Sequence, residues 1–253
     1  MRIKRALKII FSKIVRIFSL FYIVRYNILR VTGNKVFSGP FKGMKLLSSK
    51  NIPTKYLLGT YESELTSTIE ELCTKSFDVI VDVGAAFGYY AIGFALRNPQ
   101  SRIVAFEAKR IYHPLIRQAA QINNIEDRVD IQGLCEISSL SSSIFNSKRC
   151  LVLMDCEGGE NILLDPFKIP GLKECYILVE LHRITGVEIT EIISKRFEDT
   201  HKITKILTKA RTVADFPIKF EHPFLIRWFE GSVLESMNEH RHNSIGWFYL
   251  QPK

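Results

Sequence analysis

The sequence predicts an open α/β sheet: mostly parallel strands, one antiparallel strand at the end, helices on both faces, and a basic amphipathic helix ahead of it. Three observations lead there. Short apolar runs alternate with stretches of helical spacing, which implies parallel strands joined by right-handed crossovers. The run Phe77-Asp78-Val79-Ile80-Val81-Asp82-Val83 feeds into Gly84 and Gly88, and helical spacing follows through Ile92, Phe94, Ala95 and Leu96; this reads as buried strand, tight turn, helix. Acids stand where strands end, at Asp82, Glu107, Asp155 and Glu157, and open α/β sheets bind ligands outside the carboxyl ends of their strands.

Taken in order, residues 3 to 24 place Ile3, Leu7, Ile10, Ile14, Ile17 and Phe21 at steps of three and four, with Arg2, Arg5, Lys8, Lys13 and Arg16 opposite. The longest uncharged run there, Ile17 to Val24, has eight residues, against the ~20 that a spanning helix needs. Charges interrupt the apolar run, so a secretory signal is not expected either. The helix either lies on an anionic membrane surface through residues 1–30 or packs on protein with its basic face solvated. Gly33, Gly39-Pro40 and Gly43 predict turns and a short hairpin over 31–50. A helix through Ile69 and Leu72 follows. Strands are predicted over 77–83, 102–107, 129–132, 150–155 and 176–181, and helices over 88–97, 111–124 and 186–197. Pro114 falls in a first helical turn, where proline is tolerated. The serine-rich 138–147 reads as loop or frayed helix. Lys202 to Leu207 and Ile245 to Leu250 read as late strands, the last of them antiparallel. The domain reading is an extension over 1–35 and one domain over 36–253, with a lead-in hairpin and helix at 36–75 and a core at 76–253.

Composition sets limits on function. Of 253 residues, 46% are hydrophobic and 24% charged, ordinary for a globular chain able to bury a core without disulfides. The net charge of +9 is uneven. Up to Tyr61 there are 13 Lys and Arg and no acid, which leaves 22 basic residues against 26 acids, a net of −4, for the rest. A uniformly basic nucleic-acid enzyme would look different, so no nucleic-acid partner is expected. Cys73, Cys135, Cys150, Cys156 and Cys175 are odd in number and form no Cys-x-x-Cys pair, which favours a reducing, cytoplasmic setting, argues against structural zinc, and makes each a small buried hydrophobe.

Glycine at the first strand's end lets a ligand approach backbone, and the helix behind offers unpaired N–H groups. Asp82 would repel a phosphate but attract an ammonium or accept from hydroxyls, so the turn has the wrong charge for a pyrophosphate. Glu107, 19 residues after Gly88, ends the second strand, where an acid can accept from ribose hydroxyls. Downstream, Leu153-Met154-Asp155-Cys156-Glu157-Gly158-Gly159-Glu160 puts three acids just past a strand buried on both faces. A helix N-terminus accounts for Glu160, and less well for Asp155 and Glu157.

Val81-Asp82-Val83-Gly84-Ala85-Ala86-Phe87-Gly88 with Phe106-Glu107 resembles motifs one and two of class I S-adenosylmethionine-dependent methyltransferases, whose fold is Rossmann-like. The Asp155-x-Glu157-Gly158-x-Glu160 spacing, the turn continued to Tyr90, and Val179-Glu180-Leu181-His182 resemble the FkbM-type family of these enzymes over roughly Gly59 to Glu198, and Glu239-x-Arg241 with Gly246-Trp247 look like its tail. Ala85-Ala86 stands where many members carry Ala-Asn. The resemblance implies S-adenosylmethionine as cofactor, held through Asp82, Gly84, Phe87, Gly88, Glu107 and Ala108. It implies O-methylation, often of sugars or other small hydroxylated molecules, in polysaccharide or secondary-metabolite pathways. A lead-in element in such enzymes often closes over the cofactor, which makes Tyr61 and Glu62 candidate contacts; an ordinary helix start explains them as well.

Methyl transfer to a hydroxyl needs an in-line approach and removal of a proton. Asp155 or Glu157 is the expected base, with His182 the alternative. Asp155, Glu157, Glu180 and His182 carry the hard donors of a divalent-cation site, but nothing in their spacing demands one and no metal is assigned. The competing class is a non-catalytic membrane adaptor on the same scaffold, suggested by the basic helix and opposed by the acids at the strand ends.

Overall fold

The computed structural model describes residues 20–47, 52–183, 185–186, 188–219, 223–239 and 244–253, with the side chains of 223–226 and 244 left aside. The helix expected over 3 to 24 lies outside the described residues up to 19, as does Arg241.

The chain divides into two compact units, Met1–Ser63 with Ala210–His240 and Glu64–Lys209 with Arg241–Lys253. The second holds the sheet. Its strands are β1 (Val79–Val83), β2 (Arg102–Phe106), β3 (Val129–Gln132), β4 (Cys150–Met154), β5 (Tyr176–His182), β6 (His201–Ile206) and β7 (Ser244–Pro252), in the order β3-β2-β1-β4-β5-β7-β6. All neighbours run parallel except β7, which is antiparallel to both β5 and β6. This is the Rossmann-like class I methyltransferase fold that the strand and helix pattern predicts. The order reverses between β1 and β4, and the site-forming crevice of such a sheet lies at that switch point.

Both faces of the central strands are covered, so β1 and β4 are buried at every position. The period-two alternation then sorts their side chains. Val79, Val81, Val83, Val152, Met154, Val179 and Leu181 pack on one face with Leu140, Ile144, Ile189, Ile193 and Phe197 of the crossing helices. Asp82, Glu180 and His182 belong to the other. At one sheet edge β6 is mostly open: only His201 is buried, and Ile203 and Ile206 are half-buried.

Helices of this unit are α3 (Thr66–Cys73), α4 (Tyr89–Arg97), α5 (His113–Ile122), α6 (Ile137–Ile144), α7 (Glu160–Leu163) and α8 (Ile189–Phe197). The serine-rich stretch is therefore helix. A capping box between Glu136 and Ser139 secures its N-terminus, and buried Leu140 and Ile144 anchor it, which offsets poor propensity. All five cysteines are free, but only Cys150 and Cys175 are buried; Cys73, Cys135 and Cys156 are partly open, so the expectation of five buried thiols is corrected.

The first unit contains α1 over 20–32, α2 (Thr54–Leu58) and α9 (Pro223–Met237). The predicted hairpin is reduced to a single antiparallel bridge, Lys35 with Lys45. Thr54 Oγ1 donates to the carbonyl of Ser236 at 2.7 Å, tying α2 to α9. Arg211 and Glu239 form a buried ion pair, and Glu239 also accepts from the Glu62 N–H at 2.9 Å. Glu239, singled out in the tail, thus braces this unit from within. Among the described residues no helix is long and apolar enough to cross a membrane.

Candidate active site at the carboxyl edge of the sheet

A cavity of about 1070 Å³ opens at the carboxyl ends of β1, β2 and β4. Gly84, Ala86, Glu107, Ala108, Asp155 and Glu157 are among its walls. Six of the residues expected from sequence, or immediate neighbours in their motifs, are therefore brought together by the strand order.

Glu107 is held rigidly. Its Oε2 accepts from the Ala86 N–H at 2.8 Å and its Oε1 from the Lys109 N–H at 2.7 Å. Its carbonyl is paired with His113 Nε2 at 2.8 Å. The β2 acid thus clamps the β1 turn, with lone pairs remaining toward the cavity. Phe106, Leu134 and Ile137 supply an apolar wall beside it.

The β1 turn departs from its sequence reading in two ways. Gly84 has φ +92°, and a Cβ there would lie 1.8 Å from the Asp155 carbonyl oxygen. Glycine is needed because the β1 and β4 turns touch backbone to backbone, not to admit a ligand alone. Asp82 does not line the cavity; its Oδ2 accepts from the Ala91 N–H at 2.9 Å, capping the first turn of α4. Burial pushes its carboxyl up to about 7, against the lowering effect of that hydrogen bond and with help from the charge of Glu107. Gly88, at φ +91°, is the left-handed N-cap of α4, and Phe87 precedes it without reaching the cavity wall. Tyr61 and Glu62 belong to the other unit. There Tyr61 packs against Tyr56 with ring centroids 4.4 Å apart, and Glu62 is buried with φ +49°.

The acids after β4 meet the end of β5. Met154 is in register with Val179, so Asp155 emerges beside Glu180. Glu180 and His182, two apart on β5, share a face. A register shift against β7 at Leu181/His182 falls at this point, and such irregularities re-aim side chains near sites. His182 is buried, and its Nδ1 lies 2.8 Å from Oε1 of Glu160, a fully buried carboxylate. Its Nε2 faces Asp155 Oδ1 at 3.6 Å, Glu157 Oε2 at 3.6 Å and Glu180 Oε2 at 3.8 Å.

Burial, then the nearby charge of Glu180, push Asp155 up to about 8, although His182 draws it down. Burial lowers His182, but the hydrogen bond and charge of Glu160 outweigh it and raise the imidazole to about 9. Burial raises Glu160, and its bond to His182 more than reverses that, leaving it below the usual range. The pairing of Glu160 with His182 does not follow from the sequence, in which Glu160 reads as an acid of a helix first turn behind two glycines.

No protein-family model and no curated protein matches the chain. Among solved structures it is similar to a precorrin-6y C5,15-methyltransferase from Geobacter metallireducens, with a TM-score of 0.47 and 15% identity over 81% of this chain and 91% of that one. It is similar to the O-methyltransferase TomG from Streptomyces achromogenes, in complex with SAM, with a TM-score of 0.44 and 15% identity over 58% and 73%. Coclaurine N-methyltransferase, bound to N-methylheliamine and SAH, gives a TM-score of 0.46 and 14% identity over 96% and 87%. The fold assignment rests on strand order and register, not on these distant matches.

Proposed function

We propose that the protein is an S-adenosylmethionine-dependent methyltransferase of the FkbM type that methylates a hydroxyl of a sugar, a glycan precursor or another small hydroxylated molecule. The observation carrying this reading is the meeting of Glu107, Asp155 and Glu157 in one cavity at the switch point of the sheet. The residues present suit the cofactor. Glu107 is a pre-positioned acceptor for ribose hydroxyls, and the apolar wall of Phe106, Leu134 and Ile137 suits a flat base. Asp82 acts through α4 and the turn, rather than by direct contact.

When bound, the cofactor supplies an electrophilic sulfonium methyl. The chain's own residues then orient the acceptor oxygen and take its proton. Asp155 and Glu157 share the cavity wall, so either carboxylate can receive it, with His182 directly behind them. Proton removal of this kind is worth roughly 10²–10⁴ in rate. The acceptor class rests on the family resemblance. A cytoplasmic setting with peripheral membrane contact through residues 1–30 rests instead on cysteine usage and on the basic amphipathic pattern, since the resemblance does not reach those residues.

Calorimetric titration with S-adenosylhomocysteine tests the cofactor reading. One site per chain is expected, weakened ~10- to 150-fold in Glu107→Ala, the equivalent of ~1.5–3 kcal/mol for hydrogen bonds to a charged group. A folded wild type that binds nothing would favour the adaptor reading. A mass gain of one methyl on a candidate glycan would identify the acceptor.

A further inference from the structure

Behind the cavity wall one imidazole meets four carboxylates. His182 is buried, and on its Nδ1 side the contact to Glu160 is a full hydrogen bond of 2.8 Å. On its Nε2 side three carboxylate oxygens stand at 3.6, 3.6 and 3.8 Å, all beyond hydrogen-bond reach. One of the three, Asp155 Oδ1, is itself buried with no hydrogen-bond partner. Buried polar atoms are rarely left so, and a bound water or ion is one of the explanations such an atom calls for.

We propose that Asp155, Glu157 and His182 form the seat of a divalent first-row transition-metal ion of the Mn²⁺ type, with Glu160 behind it as the carboxylate that orients the histidine. The donor atoms Asp155 Oδ1, Glu157 Oε2 and His182 Nε2 all lie within 4.8 Å of one another. Donors each ~2.1 Å from one ion stand about 3.0–4.2 Å apart, so closure by a few tenths of an ångström completes the seat. A histidine that binds metal through one nitrogen usually gives its other N–H to a carboxylate, which is the arrangement of Nδ1 with Glu160. One imidazole with two carboxylates is too nitrogenous for Ca²⁺ and too rich in hard oxygen for a thiophilic ion. Three protein ligands leave coordination positions open, and Asp155 and Glu157 also line the cavity, so those positions can face it. An ion there could polarise an acceptor hydroxyl, but the site stands on these residues and not on the methyl-transfer reading.

The test reads metal alone. EDTA-stripped full-length protein is titrated with Mn²⁺, and free ion is followed by electron paramagnetic resonance. One ion per chain is expected to disappear from the free signal. Binding should fall at least ~10-fold in His182→Ala and Asp155→Asn, and ~10- to 100-fold in Glu160→Gln, the usual effect of losing an orienting partner. Glu157→Gln keeps the test decisive if the buried variants do not fold, because its side chain is 82% exposed and its loss leaves the core intact. Failure of folded wild type to bind Mn²⁺ at millimolar concentration would overturn the site, as would equal binding by wild type and Glu157→Gln. S-adenosylhomocysteine is absent throughout, so a failure of cofactor binding would leave this result unchanged.

Discussion

Asp82 shows how one buried carboxylate sets a pH dependence. Its pKa is about 7 in the folded chain against an ordinary 3.8. Between those values the native state keeps a proton that the unfolded chain has released, so this group's contribution to stability falls as pH rises through about 4 to 7. Asp82→Asn removes that decline while keeping an oxygen for the Ala91 N–H. The variant should match wild type near pH 4 and exceed it increasingly toward pH 8, by at most ~4 kcal/mol at ~1.4 kcal/mol per unit. Urea denaturation across that range measures the gap; a gap independent of pH would show that the buried charge is not its source. Ala86, at φ +48°, is a second strained position in the same turn. Asparagine tolerates that conformation better than alanine.

At the scale of the element, the turns after β1 and β4 form one unit. The two glycines of the first turn therefore differ in consequence. At Gly84 an added Cβ meets the Asp155 carbonyl at 1.8 Å, whereas at Gly88 the nearest atoms lie at 3.4 Å. Gly88→Ala meets only the left-handed backbone penalty of about 1–2 kcal/mol. Gly84→Ala adds a clash between two backbones that sheet packing holds in place, and should cost ~3 kcal/mol or more. Thermal or urea melts of the pair check this; a Gly84→Ala no less stable than Gly88→Ala would disprove the backbone contact.

For the whole molecule, charge divides along the chain, with the basic excess before Glu62. In α1, Val24 and Ile28 are buried while Tyr22, Ile23 and Tyr26 are exposed. A deletion meant to test membrane contact should therefore remove residues 2–19 and stop before the buried face. The intact chain is expected to bind anionic vesicles with about 1 kcal/mol per basic residue at the surface, weakening as salt shortens the Debye length. Vesicle co-sedimentation should show the deleted protein left in solution and still folded. Equal sedimentation of both proteins would place the contact elsewhere or abolish it.

The sheet and its acids were legible because they depend on local rules. β-branched runs, glycine turns and helical spacing mark β1 to β5, and right-handed crossovers bring their carboxyl ends to one edge, so Asp82, Glu107, Asp155 and Glu157 could be placed by strand position alone. Helix α9 was not legible, because its aromatic and small residues carry no clear apolar stripe. What only the tertiary structure decided is where side chains at those strand ends turn. Asp82 turns back to α4 rather than into the cavity, and Gly84 answers to a carbonyl 71 positions away in the chain. His182 meets Glu160, Asp155 and Glu157 because β4 and β5 lie in one particular parallel register. Register follows from packing across the whole sheet, where a slip of one residue would reverse every side chain, and no short stretch of sequence encodes it.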